Sequence, residues 1–352
     1  SRPFFPRGFY WDEGFHLLPI LEHDVDLALE IVKSWFSLID DDGWIAREQI
    51  LGDEARSKVP KEFTVQNPNI ANPPTLMLVF TELLDIAKKR HLLKSQTMQI
   101  DDQIVIGDDY FSSSELGDAH LLHPELLIDY AKEVYPKLKK HYEWFRTTQK
   151  GEMDEFDRKA FSDKEAYRWK GRSVTHCLPS GLDDYPRCEP DVSELNVDLI
   201  SWIGVMTKSM KQIAFLLEEH ADSQEYSSIL YNITRNIDDL HWSEKHKSYC
   251  DVSVDDDDET EFVCHIGYVT LMPFIHGLIP VDSPHLLDIL KTIRDPEQLW
   301  TPYGIRSLSK ADTNFHTEED YWRGHIWINI NYLILELSLI HISEPTRLDV
   351  IS

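Results

Sequence analysis

The sequence lacks the features that define several large classes of protein. It has no run of about eighteen apolar residues, so no segment is predicted to span a membrane. It has no Gly-rich phosphate-binding loop and no Gly-x-Ser-x-Gly motif, so nothing indicates a nucleotide-binding protein or a serine hydrolase. The first residues also show no charged and then apolar stretch of the signal-peptide type.

Basic residues are scarce relative to acidic ones. The chain has 35 Lys and Arg against 62 Asp and Glu, which gives a net charge of -27. This charge would repel a phosphate backbone or an anionic lipid surface, so we expect no nucleic-acid partner and no membrane contact from this chain. Part of the acidic excess lies in Asp255–Glu259, which predicts a solvated loop rather than a cation site.

Metal-ligand spacing is absent among the histidines. His16, His176 and His325 belong to no His-x-x-His or His-Glu-x-x-His pattern. We therefore predict no catalytic metal, and no pattern in the sequence indicates another cofactor.

The four cysteines also lack metal-ligand spacing, and two interpretations of them stay open. Cys177, Cys188, Cys250 and Cys264 are either four buried thiols or two local disulfides. In an oxidising compartment, Cys177 would pair with Cys188 and Cys250 with Cys264, and each bridge would rigidify the loop it closes.

Apolar residues at helical spacing are abundant. They recur every three or four residues from Val25 to Ile39 and from Leu127 to Phe145, which predicts amphipathic helices. Further helices are predicted at about 74–92, 193–219, 223–241, 265–277, 284–294 and 322–336, with only short alternating runs such as Ile104 to Ile106. The pattern favours an all-α fold whose ligand-binding residues lie in loops 1–20, 41–73, 165–192 and 300–325.

The most informative segment is Ser180–Arg187, in which Asp183 and Asp184 follow a glycine and precede a proline and an arginine. Glycosidic bonds are cleaved by two carboxyl groups, one of which donates a proton to the leaving oxygen. The segment predicts one member of such a pair. The alternative is an ordinary surface turn, because Gly and Asp favour turns for local reasons.

Two neighbouring segments also suit a sugar ligand. One is Tyr167–Arg172, and in the other Glu194, Asp198 and Trp202 recur every four residues. A helix would place these two acids and the indole along one side. Acids and a flat aromatic ring match the hydroxyl and C–H groups of a pyranose, whereas the alternative is a solvated acidic stripe.

Together with further motifs, these segments resemble glycoside hydrolase family 63, the family of processing α-glucosidases. The further motifs are Gly8–His16, Arg47–Gly52, Val59–Phe63, Ala71–Leu76, Gly304–Leu308 and Tyr321–Asn329, so the resemblance extends from Ser1 to about Glu336. It implies an (α/α)6 toroid. Because the sequence predicts roughly nine helices and a closed double ring needs about twelve, we expect the toroid to be incomplete at its C-terminal end.

The last residues of the chain form a separate predicted segment. Residues 337–352 resemble the translation of an adaptor used in sequencing libraries, and the Ser343-Glu344-Pro345 sequence interrupts the apolar period. We therefore predict a partial catalytic domain over 1–336 and a non-native tail over 337–352. An ordinary helix end is the alternative.

The resemblance also implies a reaction. Members of this kind remove the terminal α-1,2-linked glucose from the triglucosylated N-glycan precursor with inversion, and Asp183 matches their general acid. A negative charge on Asp184 would keep Asp183 protonated, or Asp184 would instead cap a helix. The family's general base is a glutamate in a Trp-Glu-Gln-Tyr-like segment, which is missing here, so the chain is predicted to be inactive.

The resemblance implies substrate-binding roles for further residues, each of which also has a structural interpretation as core, ion pair or solvated surface. They are Trp11, Asp12, Arg47, Glu48, Gln66, Arg168, Trp169, Asp184, Glu194, Asp198, Trp322 and Arg323.

The resemblance implies a setting as well. The expected partner is a glucosylated high-mannose N-glycan on nascent glycoproteins in the lumen of the endoplasmic reticulum, with the parent protein held by an N-terminal membrane anchor. The glycosylation sequon Asn232-Ile233-Thr234 agrees with a lumenal location. Two alternatives stay open, a trehalase-like (α/α)6 glycosidase and a non-catalytic glycan-binding remnant.

Overall fold

The computed structural model describes residues 3–87, 117–257 and 259–343. The predicted run at Ile104 to Ile106, the predicted helical residues 88–92 and the tail residues 344–352 lie outside the described residues. The chain divides into two compact units. Unit 1 comprises Ser1–Pro68, Pro74–Trp144 and Met206–Ser227, and unit 2 comprises Asn69–Pro73, Phe145–Val205 and Ser228–Ser352.

Helices form most of the regular structure, as predicted. They are α1 (Tyr10–Leu21), α2 (Val25–Phe36), α3 (Gly52–Ser57), α4 (Lys61–Thr64), α5 (76–87), α6 (Ala119–Leu122), α7 (Pro124–Thr148), α8 (Val197–Leu216), α9 (His220–His241), α10 (Tyr268–Ile275), α11 (Leu286–Arg294) and α12 (Ile328–Ser343). Within the described ranges, no helix combines the length and the apolar character needed to cross a membrane.

The strands of the described residues are short, and each pairs with one other strand in an antiparallel direction. The strands are β1 (Gly8–Phe9), β2 (Glu48–Gln49), β3 (Trp242–Ser243), β4 (Ser248–Tyr249), β5 (Asp251–Val254), β6 (Thr260–Val263), β7 (Trp300–Thr301) and β8 (Gly304–Ile305). The pairs are β1 with β2, β3 with β4, β5 with β6 and β7 with β8. In the longest hairpin, Asp251 is opposite Val263 and Val254 is opposite Thr260.

In unit 1, the period of α2 directs its apolar face inward. The side chain of Asp24 accepts a hydrogen bond from the N–H of Leu27 and so caps the helix. The buried residues of α2 are Val25, Ala28, Leu29, Val32, Trp35 and Phe36, which follow the predicted spacing. Phe36 stacks on Phe80 of α5 with ring centroids 5.9 Å apart. These contacts confirm the predicted helix at this position.

Helix α1 corrects the prediction of a loop over residues 1–20. Tyr10, Leu17 and Leu21 lie on one face of α1 and are buried, because their successive spacings of seven and four residues are helical. Gly14 allows close packing, since a Cβ atom there would lie 2.3 Å from the backbone carbon of Thr75. The motif residues at the start of the chain therefore belong to a core helix.

Unit 2 has its own core. A cluster formed by Met153, Ala166, Leu195, Leu240 and Val252 packs β5 against the loop that precedes α8. The predicted start of α8 at residue 193 is wrong. Helix α8 begins at Val197, because Leu195 exchanges backbone hydrogen bonds with Val252 instead.

The start of the last helix also differs from the prediction. Helix α12 begins at Ile328. The preceding motif Tyr321–Trp327 forms a loop, because its first two N–H groups donate to the carboxylate of Asp184. It extends to Ser343 and so includes the first residues of the segment predicted to be non-native. The origin of that segment stays a prediction.

The cysteines are resolved as one disulfide and two thiols. Cys250 and Cys264 form a bridge across the ends of the β5–β6 hairpin, while Cys177 and Cys188 are free. The interpretation as four thiols is therefore wrong, and so is the bridge between Cys177 and Cys188. The acidic run lies at the tip of this hairpin, and its described residues are exposed, as expected of a solvated loop.

Candidate active site

The turn that carries Asp183 is shaped by backbone interactions in unit 2. Residues Leu178–Ser180 form a single 3-10 turn that ends at Gly181, whose φ of 74° is left-handed and favours glycine. The carbonyl oxygen of Asp183 accepts a 2.7 Å hydrogen bond from the N–H of Cys177. The side chain of Asp183 is half-buried. Main-chain hydrogen bonds thus hold the turn in place. The role of Asp183 as the general acid stays a prediction.

The side chain of Asp184 is buried and is held by the backbone of the Tyr321–Trp327 loop. Its carboxylate accepts hydrogen bonds from the backbone N–H groups of Tyr321 at 2.9 Å and Trp322 at 2.6 Å. The guanidinium of Arg323 donates to the carbonyl oxygen of Asp184 at 2.8 Å. The predictions for Asp184 are that it keeps Asp183 protonated or that it caps a helix. The observed contacts resemble the cap, although the N–H groups that Asp184 binds belong to a loop and not to a helix.

Arg187 lies at the centre of a buried charge cluster. It contacts the carboxylates of Asp198 and Asp251, the latter at 2.7 Å, and all three side chains are at most 3% exposed. Burial opposes the charge on Arg187, but the two carboxylates more than compensate and raise its pKa well above the ordinary value. Asp251 also accepts a 2.9 Å hydrogen bond from the N–H of Val197, so it stabilises the N-terminus of α8.

A second ion pair lies beside this cluster. Arg172 donates to Glu194 at 2.8 Å, and the amide of Asn196 donates to the other oxygen of Glu194 at 2.7 Å. Trp169 is buried, and its indole N–H donates to Asp198 at 3.0 Å. The interpretation of Glu194 and Asp198 as a solvated stripe is therefore wrong.

Glu194 also precedes α8, so the predicted single helical face is not formed. Glu194 and Asp198 thus form buried ion pairs with Arg172 and Arg187. Their predicted contact with substrate stays a prediction.

A cavity of about 240 Å³ adjoins the turn in unit 2. Its walls include Arg172, Arg187, Arg323, His176, His265, Cys177 and Tyr185. Asp183 does not line this cavity, although its neighbours Cys177 and Tyr185 do. The cavity is therefore polar, and some of its lining residues are close in sequence to the predicted acid, Asp183.

Trp322, Arg323 and Arg168 are also fixed by neighbours within unit 2. Trp322 is 3% exposed and stacks on Trp327 with ring centroids 4.1 Å apart. Arg323 pairs with Glu318 at 3.1 Å in addition to its contact with Asp184. Arg168 donates to the carbonyl oxygen of Asp191 at 3.1 Å. Their predicted sugar contacts remain untested, and each side chain has a structural role.

In unit 1, Glu48 organises the predicted residues of the second motif-rich loop. Its carboxylate is buried and pairs with Arg7 and, at 2.8 Å, with Arg47. The side-chain amide of Gln66 both accepts from the N–H of Glu48 and donates to its carbonyl oxygen, each at 2.8 Å. Because β2 contains Glu48, this clamp fixes the β1–β2 ladder. Arg47 and Glu48 therefore form the ion pair that one interpretation predicts, and the sugar contacts of Arg47, Glu48 and Gln66 stay predictions.

Trp11 and Asp12 occupy different environments at the start of α1. Trp11 is 8% exposed and packs edge-on against Phe15 with ring centroids 4.9 Å apart. Asp12 lines a cavity of about 480 Å³ together with Glu13, His16 and Gln49. Asp12 thus borders a cavity, whereas Trp11 belongs to the core of unit 1, and the predicted sugar contacts of both residues stay predictions.

Sequence reasoning does not identify Asp251 and Asn196, which complete the buried cluster. No local pattern marks them, since Asp251 is more than fifty positions from Arg187 and Asn196 lies between the two acids already noted. It also gives no metal site. Within residues 3–87, 117–257 and 259–343, one group of side chains, His316, Asp320 and His325, is arranged as metal ligands could be.

Comparisons with known proteins identify the family of the chain. The model of the glycosyl hydrolase family 63 C-terminal domain matches residues 1–347. The chain is 53% identical to mannosyl-oligosaccharide glucosidase of Saccharomyces cerevisiae over 348 aligned residues, covering 96% of this chain and 41% of that protein. It is 50% identical to a probable mannosyl-oligosaccharide glucosidase of Schizosaccharomyces pombe, covering 95% of this chain and 41% of that protein. The chain thus spans about two fifths of the length of these relatives.

Among solved structures, the family 63 mannosylglycerate hydrolase of Thermus thermophilus, in complex with Tris and D-glycerate, matches with a TM-score of 0.68. The match covers 99% of this chain and 85% of that one at 14% identity. At this identity the likeness concerns the fold alone, and it confirms the predicted (α/α)6 fold class. With the family match and the two yeast relatives, it follows that the chain belongs to glycosyl hydrolase family 63 and represents its C-terminal domain.

Proposed function

We propose that this chain is the catalytic-domain portion of an inverting α-glucosidase that removes the terminal α-1,2-linked glucose from the triglucosylated N-glycan precursor. The observation that carries the proposal is the 53% identity to the S. cerevisiae mannosyl-oligosaccharide glucosidase across 96% of the chain. The substrate would be a glucosylated high-mannose glycan on nascent glycoproteins.

In the proposed reaction, Asp183 donates its proton to the glycosidic oxygen as the bond to the anomeric carbon breaks. A second carboxylate removes a proton from a water molecule that attacks the opposite face of the glucose, so the configuration inverts. The two carboxyl groups of such a pair stand about 6.5–9.5 Å apart. The geometry of the turn supports Asp183 over Asp184, because the carboxylate of Asp184 is committed to two backbone amides.

The acid assignment is tested in the complete parent enzyme. Asp183→Asn should lower kcat by about 10²-fold or more, because a general acid contributes about 10²–10⁴-fold. The matched control is Asp163→Asn, an exposed loop aspartate of the same unit, which should leave kcat unchanged. Equal activity of the Asp183→Asn variant and the control would remove Asp183 from the mechanism.

We also propose that the 352-residue chain does not turn over by itself, because no Trp-Glu pair that could carry the family's base occurs among its residues. The measurement is glucose release from a triglucosylated oligomannose glycan, with the complete yeast relative as the positive control. Glucose release by the purified chain would show that another carboxylate supplies the base. That result would leave the substrate assignment intact.

The same missing base favours a second candidate, a glycan-binding domain without catalysis. Binding of glucosylated glycans on an array, with no glucose released, would support it. A trehalase-like activity is less favoured, because the Arg168-Trp169 and Asp183-Asp184-Tyr185 runs match the processing glucosidases. A panel containing trehalose and triglucosylated glycan distinguishes the two enzymes.

We propose the lumen of the endoplasmic reticulum as the location, with the parent protein anchored by a single N-terminal membrane segment. The Cys250–Cys264 disulfide supports an oxidising compartment, and the sequon at Asn232 is consistent with it. Asn232 lies on α9 and is half-buried. Sensitivity of the expressed parent to endoglycosidase H, and its loss in Asn232→Gln, would test both statements.

A further inference from the structure

Three potential metal ligands meet in the loop that precedes α12. The imidazole Nδ1 of His316 lies 2.7 Å from Oδ2 of Asp320, and Nε2 of His325 lies 3.3 Å from the same oxygen. One ligand atom from each of the three residues lies within 4.8 Å of the other two. The residues come from positions 316, 320 and 325, so no short sequence pattern identifies them.

These separations fit a tetrahedral metal ion of the zinc type. Zinc is bound by His nitrogen at about 2.0–2.1 Å and by Asp oxygen at about 2.0–2.2 Å. Two ligand atoms of such a tetrahedron are about 3.3 Å apart. The 3.3 Å separation of His325 and Asp320 matches this value, whereas the 2.7 Å contact of His316 with Asp320 is a hydrogen bond that a bound ion would replace. Histidine with one carboxylate is also a donor set that suits zinc better than magnesium or calcium, which prefer oxygen ligands.

The loop holds the three side chains in place through its backbone. The N–H of His316 donates to the carbonyl oxygen of Arg323 at 2.9 Å and so brings the two ends of the loop together. His316, Glu318 and Asp320 each have φ between 53° and 55°, a region that residues other than glycine seldom adopt. Strain of this kind persists only where the surroundings fix the conformation, and it often marks a functional loop.

The charges around the cluster also suit a cation. The carboxylate of Asp320 contacts both imidazoles. The side chains of His316 and His325 are 45% and 54% exposed, so an ion can reach them. The nearby Glu318 pairs with Arg323, and Glu319 pairs with His176. Asp320 therefore supplies the negative charge of the set.

We propose that His316, Asp320 and His325 form a binding site for a divalent transition-metal ion, with zinc as the best match and solvent at the remaining position. The site is separate from the proposed proton donor and does not depend on the proposed function. Bound metal would join the two ends of the loop whose amides at Tyr321 and Trp322 hold Asp184. Its role is therefore to stabilise that loop.

The test is a zinc titration of the full 352-residue chain, purified without a polyhistidine tag and treated with a chelator. We expect calorimetry to show one equivalent of bound zinc. His316→Ala and His325→Ala should each weaken binding at least tenfold, and Asp320→Asn should do the same. The matched control is His123→Ala, because His123 is also exposed and lies 3.5 Å from an acid, Glu125, in the other unit.

Two further measurements keep the result interpretable. Circular dichroism should show unchanged helix content in all variants, since the substituted imidazoles are about half exposed. Cobalt in place of zinc should give the visible absorption of a four- or five-coordinate ion in the wild-type chain and lose it in His325→Ala. A wild-type chain that binds no zinc, or ligand variants that bind as tightly as His123→Ala, would overturn the proposal.

Discussion

The backbone N–H of Trp322 donates a 2.6 Å hydrogen bond to Oδ1 of Asp184. The N–H of Tyr321 donates to the other carboxylate oxygen, and Asp184 is only 2% exposed. Replacing Asp184 with Ala leaves two backbone donors without this partner in a buried site. We expect Asp184→Ala to lower the free energy of unfolding by about 3 kcal/mol, measured by urea denaturation.

An exposed aspartate of the same unit provides the control. Asp163→Ala should change the free energy of unfolding by less than about 1 kcal/mol. Equal losses of stability in Asp184→Ala and Asp163→Ala would contradict the structural role assigned to Asp184.

The buried guanidinium of Arg187 gives a second prediction. Arg187→Ala leaves the carboxylates of Asp198 and Asp251 buried without their cation, and removal of one partner from such a group costs about 3–5 kcal/mol. Lys310→Ala removes an exposed pair with Glu297 and should cost less than about 1 kcal/mol. Thermal unfolding of both variants measures the contrast, and similar melting temperatures would show that the buried cluster is dispensable.

The pH dependence of stability should reflect His141 in unit 1. Its Nε2 lies 2.9 Å from the hydroxyl of Tyr10 and its Nδ1 lies 2.7 Å from the carbonyl oxygen of Gly43. Burial lowers the pKa of His141 from 6.5 to about 4. Between these values the unfolded chain binds more protons than the folded one, so stability falls as the pH drops from about 6.5 towards 4, by up to roughly 3 kcal/mol.

The measurement is the free energy of unfolding at several pH values in that window. His141→Gln should be less stable at pH 7 and should show a shallower dependence on pH, because the titrating group is gone. An identical slope in the wild type and the variant would assign the dependence to other groups, such as His241, whose pKa burial also lowers to about 4.

The Cys250–Cys264 bridge closes a short loop, since its cysteines are 14 positions apart. Its removal in the double variant Cys250→Ser and Cys264→Ser should lower the free energy of unfolding by about 3 kcal/mol, as expected for a loop of this length.

Burial raises the pKa of Cys177 to about 11 and that of Cys188 to about 12, so both thiols should react slowly with iodoacetamide at pH 8. Peptide mapping without reductant that finds four alkylated cysteines would contradict the bridge.

Much of the helical fold could be predicted because it depends on local periodicity. Helices α2 and α7 follow apolar patterns that are complete within the helix itself. Helix α1 is harder to predict because the same residues also form a family motif, and motifs of this kind usually lie in loops. The start of α8 is misplaced by its periodicity because the strand pairing of Leu195 with Val252 depends on residues far along the chain.

The candidate site was predictable only in part. The sequence indicated Asp183 and Asp184 through their turn chemistry, but it could not show that their carboxyl groups have different environments. It also could not show that Glu194 is neutralised by Arg172, since an acid at helical spacing has the same pattern whether solvated or buried. Pairings of this kind depend on the tertiary fold, and no spacing rule along the chain encodes them.

The bridge between Cys250 and Cys264 has a practical consequence for producing the protein. Asp251, which follows Cys250 directly, binds both Arg187 and the first turn of α8, so the hairpin is joined to the buried charge cluster. In a bacterial cytosol, where thiols stay reduced, this hairpin would fold without its covalent link. Recombinant expression should therefore give a higher soluble yield in a secretory host than in a reducing one.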